Sequence, residues 1–235
     1  MTMTVLVVRV FADEHERHGN ELGVVVDAAG LDGELGPRLT AHLGFSETVF
    51  VDDITEDGAN LRIFNPTAEM KLGGHPLVGT AHVLAQVTGP QLTTLRPRLA
   101  DPVATWRDGA VTWIRANCAA APDFAFEQLA TPAEVEALPV PPPEDKSFVQ
   151  YWAWIDESAG LLRARTFAGA IDVPEDEATG SAAMLQAQRL GRAVTIRQGR
   201  GSVLHVRPAA GQPGWSELGG RVAAEPSRVV DTLMP

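Results

Sequence analysis

Gly73-Gly74-His75-Pro76-Leu77-Val78-Gly79-Thr80-Ala81-His82 is the stretch on which the reading of the fold turns. The run Leu61-Arg62-Ile63-Phe64 before it is strand-like, and an apolar helical run leads out from Ala81. Glycine between a strand and a helix leaves backbone N–H groups free to meet an anion. Gly and Pro also build such turns for backbone reasons alone. A second copy gives the stretch its weight: Leu162-Arg163-Ala164-Arg165-Thr166-Phe167 is followed by Pro174-Glu175-Asp176-Glu177-Ala178-Thr179-Gly180-Ser181-Ala182. Gly79-Thr80-Ala81 matches Gly180-Ser181-Ala182, with His75 and Asp176 each five positions before the hydroxyl. The chain reads as two related halves, each with a helix N-terminus and an acid/base group.

With 235 residues, one large or two modest domains are expected, and a 45% hydrophobic content suffices for a sizeable core. The net charge of −11 argues against nucleic acid as a partner, since such proteins carry a basic stripe. Met1 to Val10 is short, lacks a basic leading segment and is interrupted by Arg9, so it reads as a first strand and not a signal peptide. No run has the length of a membrane span. Cys118 is the single cysteine, which excludes an intrachain disulfide and points to a reducing, cytoplasmic location. It also excludes a racemase with two facing thiols and zinc sites that need two or more cysteines. Cys118 itself reads as a small buried hydrophobe.

Strands are expected at Val5–Phe11, Leu22–Val26, Ser46–Val51 and Leu61–Phe64, with a helix at Leu35–Leu43 stopped by Gly44. Asp108-Gly109 marks a hairpin within Thr105–Ile114. Small residues from Ala116 to Pro122 mark the domain boundary, giving halves 1–117 and 118–235. Thr131-Pro132-Ala133-Glu134 is a helix start, and Pro139 to Pro143 a rigid connector. Strands at Phe148–Ile155 and Leu161–Phe167 precede a helix at Ala182–Leu190, and strands at Ser202–Val206 and Arg221–Ala223 end the chain. Hairpin-connected strands with one apolar helix per half make an α+β protein with a cleft between pseudo-equivalent halves.

Glu47 stands between apolar neighbours in Phe45-Ser46-Glu47-Thr48-Val49-Phe50. Either it lies on the wet face of its strand, or it is a desolvated general base able to take and return a proton. His75 and Asp176 are candidates through their mirrored placement; the plain alternatives are a structural histidine and a solvated acidic turn at a helix start. Ser181 with the Gly180 N–H makes either a cradle for a carboxylate or an ordinary N-cap. Glu14, His15 and His18 form a local cluster without a further ligand and read as an exposed loop, so no metal site is expected. Gly199-Arg200-Gly201-Ser202 is no phosphate loop, and no dinucleotide fingerprint follows a strand.

Together these motifs resemble the PhzF-like family, the phenazine-biosynthesis isomerases and their relatives. The matching pieces are Val10-Phe11, Gly19-Asn20, Leu43–Val51, Leu61–Leu84, Pro174–Ala183, Gln198-Gly199 and Gly219-Gly220-Arg221-Val222, in the family's order. The resemblance implies a diaminopimelate-epimerase-like fold: two pseudo-symmetric domains, each a barrel-like β-sheet around a central helix, with the active site between them. It implies a homodimer with no cofactor and no metal. It makes Glu47 the general acid/base, and His75 and Asp176 the groups that orient the substrate and assist proton transfer. Gly74, Gly180 and Ser181, together with Gly19 and Asn20, fall at substrate-binding positions. The family's isomerase shifts a double bond in a cyclic dihydro-hydroxyanthranilate, a small carboxylic acid of secondary metabolism.

The chain departs from the family at Glu21, where a proline is usual, and in Lys71-Leu72-Gly73, where Lys71 adds a cation and Gly73 removes a methyl group. The leading expectation is a cofactor-independent isomerase of a small cyclic or unsaturated carboxylic acid. The alternatives are an epimerase or racemase with Glu47 and Asp176 on opposite faces, and a non-catalytic protein that binds an anion at its twin helix N-termini.

Overall fold

The computed structural model describes residues 2–89, 92–140, 142, 148–169 and 173–231. Within the expected connector Pro139–Pro143, residues 141 and 143 lie outside the described residues. The first strand, β1 (Thr2–Ala12), shows how the β-branched sequence is used. Successive side chains of a strand point to opposite faces. Met3, Val5 and Val7 enter a cluster with Leu35, Leu39 and Leu43 of helix α1 (Leu35–Leu43). Val8 and Val10 enter the larger core, which contains Leu77, Val78, Ala81 and Leu84 of helix α2 (Gly74–Thr88). Both faces of β1 are therefore apolar because both are covered.

The remaining elements repeat one pattern. In the first half β2 (Asn20–Val25), α1 and β3 (Glu47–Ile54) form a unit with parallel strands. Then β4 (Gly58–Phe64), the short β5 (Glu69–Met70), α2 and β6 (Thr94–Pro97) form another, β6 lying parallel to β4. The hairpin β7 (Val103–Asp108) and β8 (Val111–Asn117) closes the half. In the second half β9 (Ala125–Gln128), α3 (Pro132–Glu136) and β10 (Val149–Asp156) repeat the first unit, again with parallel strands. β11 (Leu161–Ala168), β12 (Val173–Asp176), α4 (Gly180–Leu190) and β13 (Val194–Gln198) repeat the second. β14 (Ser202–Pro208) and β15 (Trp215–Asp231) follow.

The strand order β2-β3-β4-β6-β7-β8-β15-β14-β13-β11-β10-β9 runs outward through the two halves as mirror images about the β8–β15 junction. The first part of β15 pairs with β8 and β14, whereas Arg221–Asp231 pairs with β1. With β1 also paired to β2, eight strands close into a barrel around α2. The second half curls its sheet around α4, which packs on β14 and β15. The fold is thus α+β, with barrel-like sheets around central helices.

Several expectations are corrected in detail. Four parallel pairings join strands that were expected to be linked mostly by hairpins. Helix α2 begins at Gly74, not Ala81, so residues 74–80 are themselves about the first two turns of the helix. Pro76 is tolerated there because first-turn N–H groups need no partner within the helix. Gly79 lies inside the helix, where a Cβ would come within 2.5 Å of Leu22 and 2.7 Å of Val10 on the barrel wall. Its glycine serves close packing, and its counterpart is not Gly180, which is the first residue of α4. The acidic stretch at Pro174-Glu175-Asp176 is part of strand β12 and not a solvated turn.

Candidate active site

Gly74 and Gly180, the first residues of α2 and α4, meet at the centre of the molecule: a Cβ on Gly74 would lie 2.6 Å from the Gly180 Cα. Only paired glycines allow two helix N-termini to approach so closely. The residues that precede them, Gly73 and Thr179, provide no side-chain cap. The first-turn N–H groups of both helices therefore keep their capacity for an anion.

Beside this junction is a cavity lined by Glu47, His75, Asp176, Thr179 and Ser181, by the glycines 73, 74 and 180, and by an apolar wall that includes Met70, Leu72, Phe124 and Phe148. Superposing the two units by their strand pairings explains this mixture. Thr48 pairs with Phe64 as Val149 pairs with Phe167, and Met70 faces Ile63 as Asp176 faces Thr166. Glu47 then corresponds to Phe148, Met70 to Asp176, and His75 to Ser181. The halves supply the same positions but different chemistry, so His75 and Asp176 share a site without being copies of each other.

Glu47 opens β3, its side chain 13% exposed, and its Oε2 lies 3.4 Å from His75 Nε2. Neither of these two buried atoms has a hydrogen-bond partner. Burial pushes the Glu47 carboxyl up to about 7, opposed by a hydrogen bond from Ser46. Burial pushes His75 down to about 4, partly offset by the Asp176 carboxylate and by a hydrogen bond with the backbone of Glu21. The imidazole is therefore neutral at neutral pH. With Nε2 unpartnered, the bond to Glu21 falls to Nδ1 as donor, which leaves the Nε2 lone pair directed at Glu47.

Asp176 ends β12 and is raised above the usual carboxylate range by burial and by the charge of Glu47. Its Oδ1 accepts from Asn20 Nδ2 and its Oδ2 from Thr179 Oγ1, both at 2.6 Å. Asn20 and Gly19 do not line the cavity. Asn20 grips Asp176 and also donates to the Ala178 carbonyl, while the Gly19 N–H donates to Ser202 Oγ at 3.0 Å. Both border an outer cleft on the far side of Asp176, together with Ser46 and the exposed Glu21. Of the departures from the family pattern, Gly73 is on the cavity wall, and Lys71 borders a neighbouring cleft with Leu99 and Asp101.

Glu14 and His15 are exposed, and among the described residues no group of His, Cys, Asp or Glu could hold a metal ion. The Cys118 thiol is buried and donates to Ser216 Oγ at 3.3 Å. No helix among the described residues is long and apolar enough to cross a membrane. The apolar wall was not foreseen as part of the site; its residues gave no local signal, because Phe124 and Phe148 face the cavity only through the pairing of β9 with β10.

Comparison with known proteins finds relatives in sequence and in fold. Residues 8–100 match the family described as phenazine biosynthesis-like protein. The chain is 36% identical over 135 residues to a trans-2,3-dihydro-3-hydroxyanthranilate isomerase from Pseudomonas aeruginosa, a match that covers 56% of this chain and 47% of that protein. The chain thus spans less than half the length of that curated relative. The fold is similar to that of a PhzF-family protein from Enterococcus faecalis, with TM-score 0.77 at 19% identity, covering 98% of this chain and 100% of the other. It is also similar to a predicted epimerase from Pseudomonas aeruginosa, with TM-score 0.73 at 23% identity, covering 99% and 100%.

Proposed function

Taking the chain as a member of the PhzF-like family, we propose that it is an isomerase that moves a proton, and with it a double bond, on a small cyclic or unsaturated carboxylic acid of secondary metabolism. The observation that carries this reading is the pair of buried, unpartnered atoms Glu47 Oε2 and His75 Nε2, 3.4 Å apart at the wall of a cavity bordered by two helix N-termini. A carboxyl near 7 is poised both to accept a proton and to release it at neutral pH.

In this reading the ligand's carboxylate sits at the N–H groups of Gly74, Gly180 and Ser181, where the helix dipoles favour an anion. The apolar wall of Met70, Phe124 and Phe148 receives the rest of its body. Glu47 as carboxylate takes a proton from a C–H bond. The electron pair of that bond moves into the ligand's π system, and the protonated Glu47 delivers the proton to another carbon of the same face. Neutral His75 and anionic Asp176 orient the ligand by accepting hydrogen bonds. The family resemblance supports a homodimer as the working form.

An epimerase is the second reading. It is favoured by Glu47 and Asp176 lining one cavity from opposite halves, and by the similar fold of a protein described as an epimerase. Solvent-deuterium incorporation into a panel of cyclic dihydroanthranilates and unsaturated amino acids tests both. Incorporation at a shifted carbon, lost in Glu47→Gln, is expected; inversion without a shift would favour the epimerase. Equal incorporation in Glu47→Gln would overturn Glu47 as the proton carrier.

A further inference from the structure

Two carboxyl groups face one small cavity, and the hydrogen bonds around them differ. Glu47 Oε2 has no partner, whereas each oxygen of Asp176 accepts a bond at 2.6 Å. Behind Asp176 lies a second layer. Gln198 is fully buried, and its Nε2 donates to Thr179 Oγ1 at 2.9 Å and to the Asp176 backbone carbonyl at 3.0 Å. A flipped amide would set Gln198 Oε1 against that carbonyl oxygen, so the orientation is forced. A threonine hydroxyl has a single proton. With its oxygen accepting from Gln198, Thr179 turns that proton toward Asp176 Oδ2.

We infer that Thr179 and Gln198 are positioning residues that hold Asp176 as the anion of the site, so that the proton the two carboxyls compete for rests on Glu47. The inference rests on the proposed reading for its functional meaning, because it decides which carboxyl carries the mobile proton. The other charged groups do not supply the same bias. On the cavity side, Glu47 raises Asp176, and His75, which lowers it when charged, is neutral except in acid. On the outer cleft, Glu175 is paired with Arg165, Glu177 with Arg200, and Arg9 with Glu225. Exposed Glu21 and half-buried His18 complete that wall. Donors to Asp176 therefore come from Asn20 and from the Gln198–Thr179 chain.

The test is a titration of carboxyl carbon shifts by NMR in the full chain, for the parent protein and for Thr179→Val, Thr179→Ser and Gln198→Met. In the parent, Asp176 should titrate below Glu47. Thr179→Val removes a donor to a buried charge and should raise the Asp176 midpoint by about one to two pH units, lowering that of Glu47. Thr179→Ser keeps the hydroxyl and should leave both midpoints in place. Gln198→Met, which frees the hydroxyl to turn away, should raise the Asp176 midpoint by less and gives the same comparison if Thr179→Val does not fold. Asp176 titrating above Glu47 in the parent, or unchanged midpoints in folded variants, would overturn the inference. Because the titration needs no substrate, a failed search for turnover leaves it standing, and turnover with unchanged midpoints would overturn it alone.

Discussion

At the scale of single residues, the site is built by withholding what burial normally demands. A buried carboxyl is usually paired or fully hydrogen-bonded, and leaving it otherwise costs stability. Glu47 is held to about 7 in the fold against 4.5 for its ordinary value. Between those two values the unfolded chain has lost its proton while the folded chain retains it. Stability contributed by this group is therefore greatest in acid and falls as pH rises through about 7. Glutamine at this position is neutral at every pH. Glu47→Gln should thus be more stable than the parent at pH 8, by about 3 kcal/mol at most, with the advantage vanishing below pH 4.5. Urea midpoints of the two proteins at pH 4 and pH 8 measure this directly. An advantage equal at both pH values would mean that the burial of charge is not its cause. An advantage confined to pH 8, combined with lost proton exchange, would mark Glu47 as a residue whose stability cost is retained for chemistry.

At the scale of elements, the helix N-termini decide the geometry, and the Gly74–Gly180 contact is their joint. Alanine ordinarily favours a helix over glycine by about 1 kcal/mol. At Gly74 its Cβ would lie 2.6 Å from the Gly180 Cα and 2.8 Å from both the Gly180 carbonyl carbon and Leu218 Cδ2. Backbone cannot yield as a side-chain tip does, so overpacking outweighs propensity. Gly74→Ala is expected to lower stability by about 1–2 kcal/mol, with a lower urea midpoint and a spread cavity. A higher midpoint would show that the helices part without cost. This joint also shows what was legible beforehand. Helix α1 could be bounded from Leu35, Leu39, Leu43 and the following Gly44, because its signal is local. The start of α2 was hidden because Pro76 and Gly79 read as turn, although one occupies a permitted first-turn position and the other a packing contact. Strand β12 has little strand propensity of its own. It is extended because β11 pairs with it and because Arg165 holds Glu175 outward, which by alternation turns Asp176 inward. Glu47, His75 and Asp176 could be picked out as residue types; that Asn20 serves Asp176 rather than the cavity could not, since that depends on a contact across 156 residues.

At the scale of the whole molecule, β15 is the element that no local pattern could assign. Its first part belongs to the junction with β8 and β14, and its last part to the closing of the first barrel against β1. The half that begins the chain therefore depends on residues 221–231 at its other end for its eighth strand. Separating the halves at the expected boundary would leave a seven-stranded sheet with an open seam, its apolar inner face around α2 no longer enclosed. Two independently stable domains would melt separately, but a shared strand couples them. Unfolding of the barrel exposes β1 and frees β15, which in turn removes a neighbour from β14 and β8. One cooperative transition is expected, with the calorimetric and van't Hoff enthalpies equal. Cutting the chain after Gly220 should abolish that transition for the first half as well as the second. Two resolved transitions in the intact protein would contradict this coupling. They would assign the cavity between Glu47 and Asp176 to two bodies free to separate, in place of one barrel-and-sheet unit whose halves hold these two carboxyls in register.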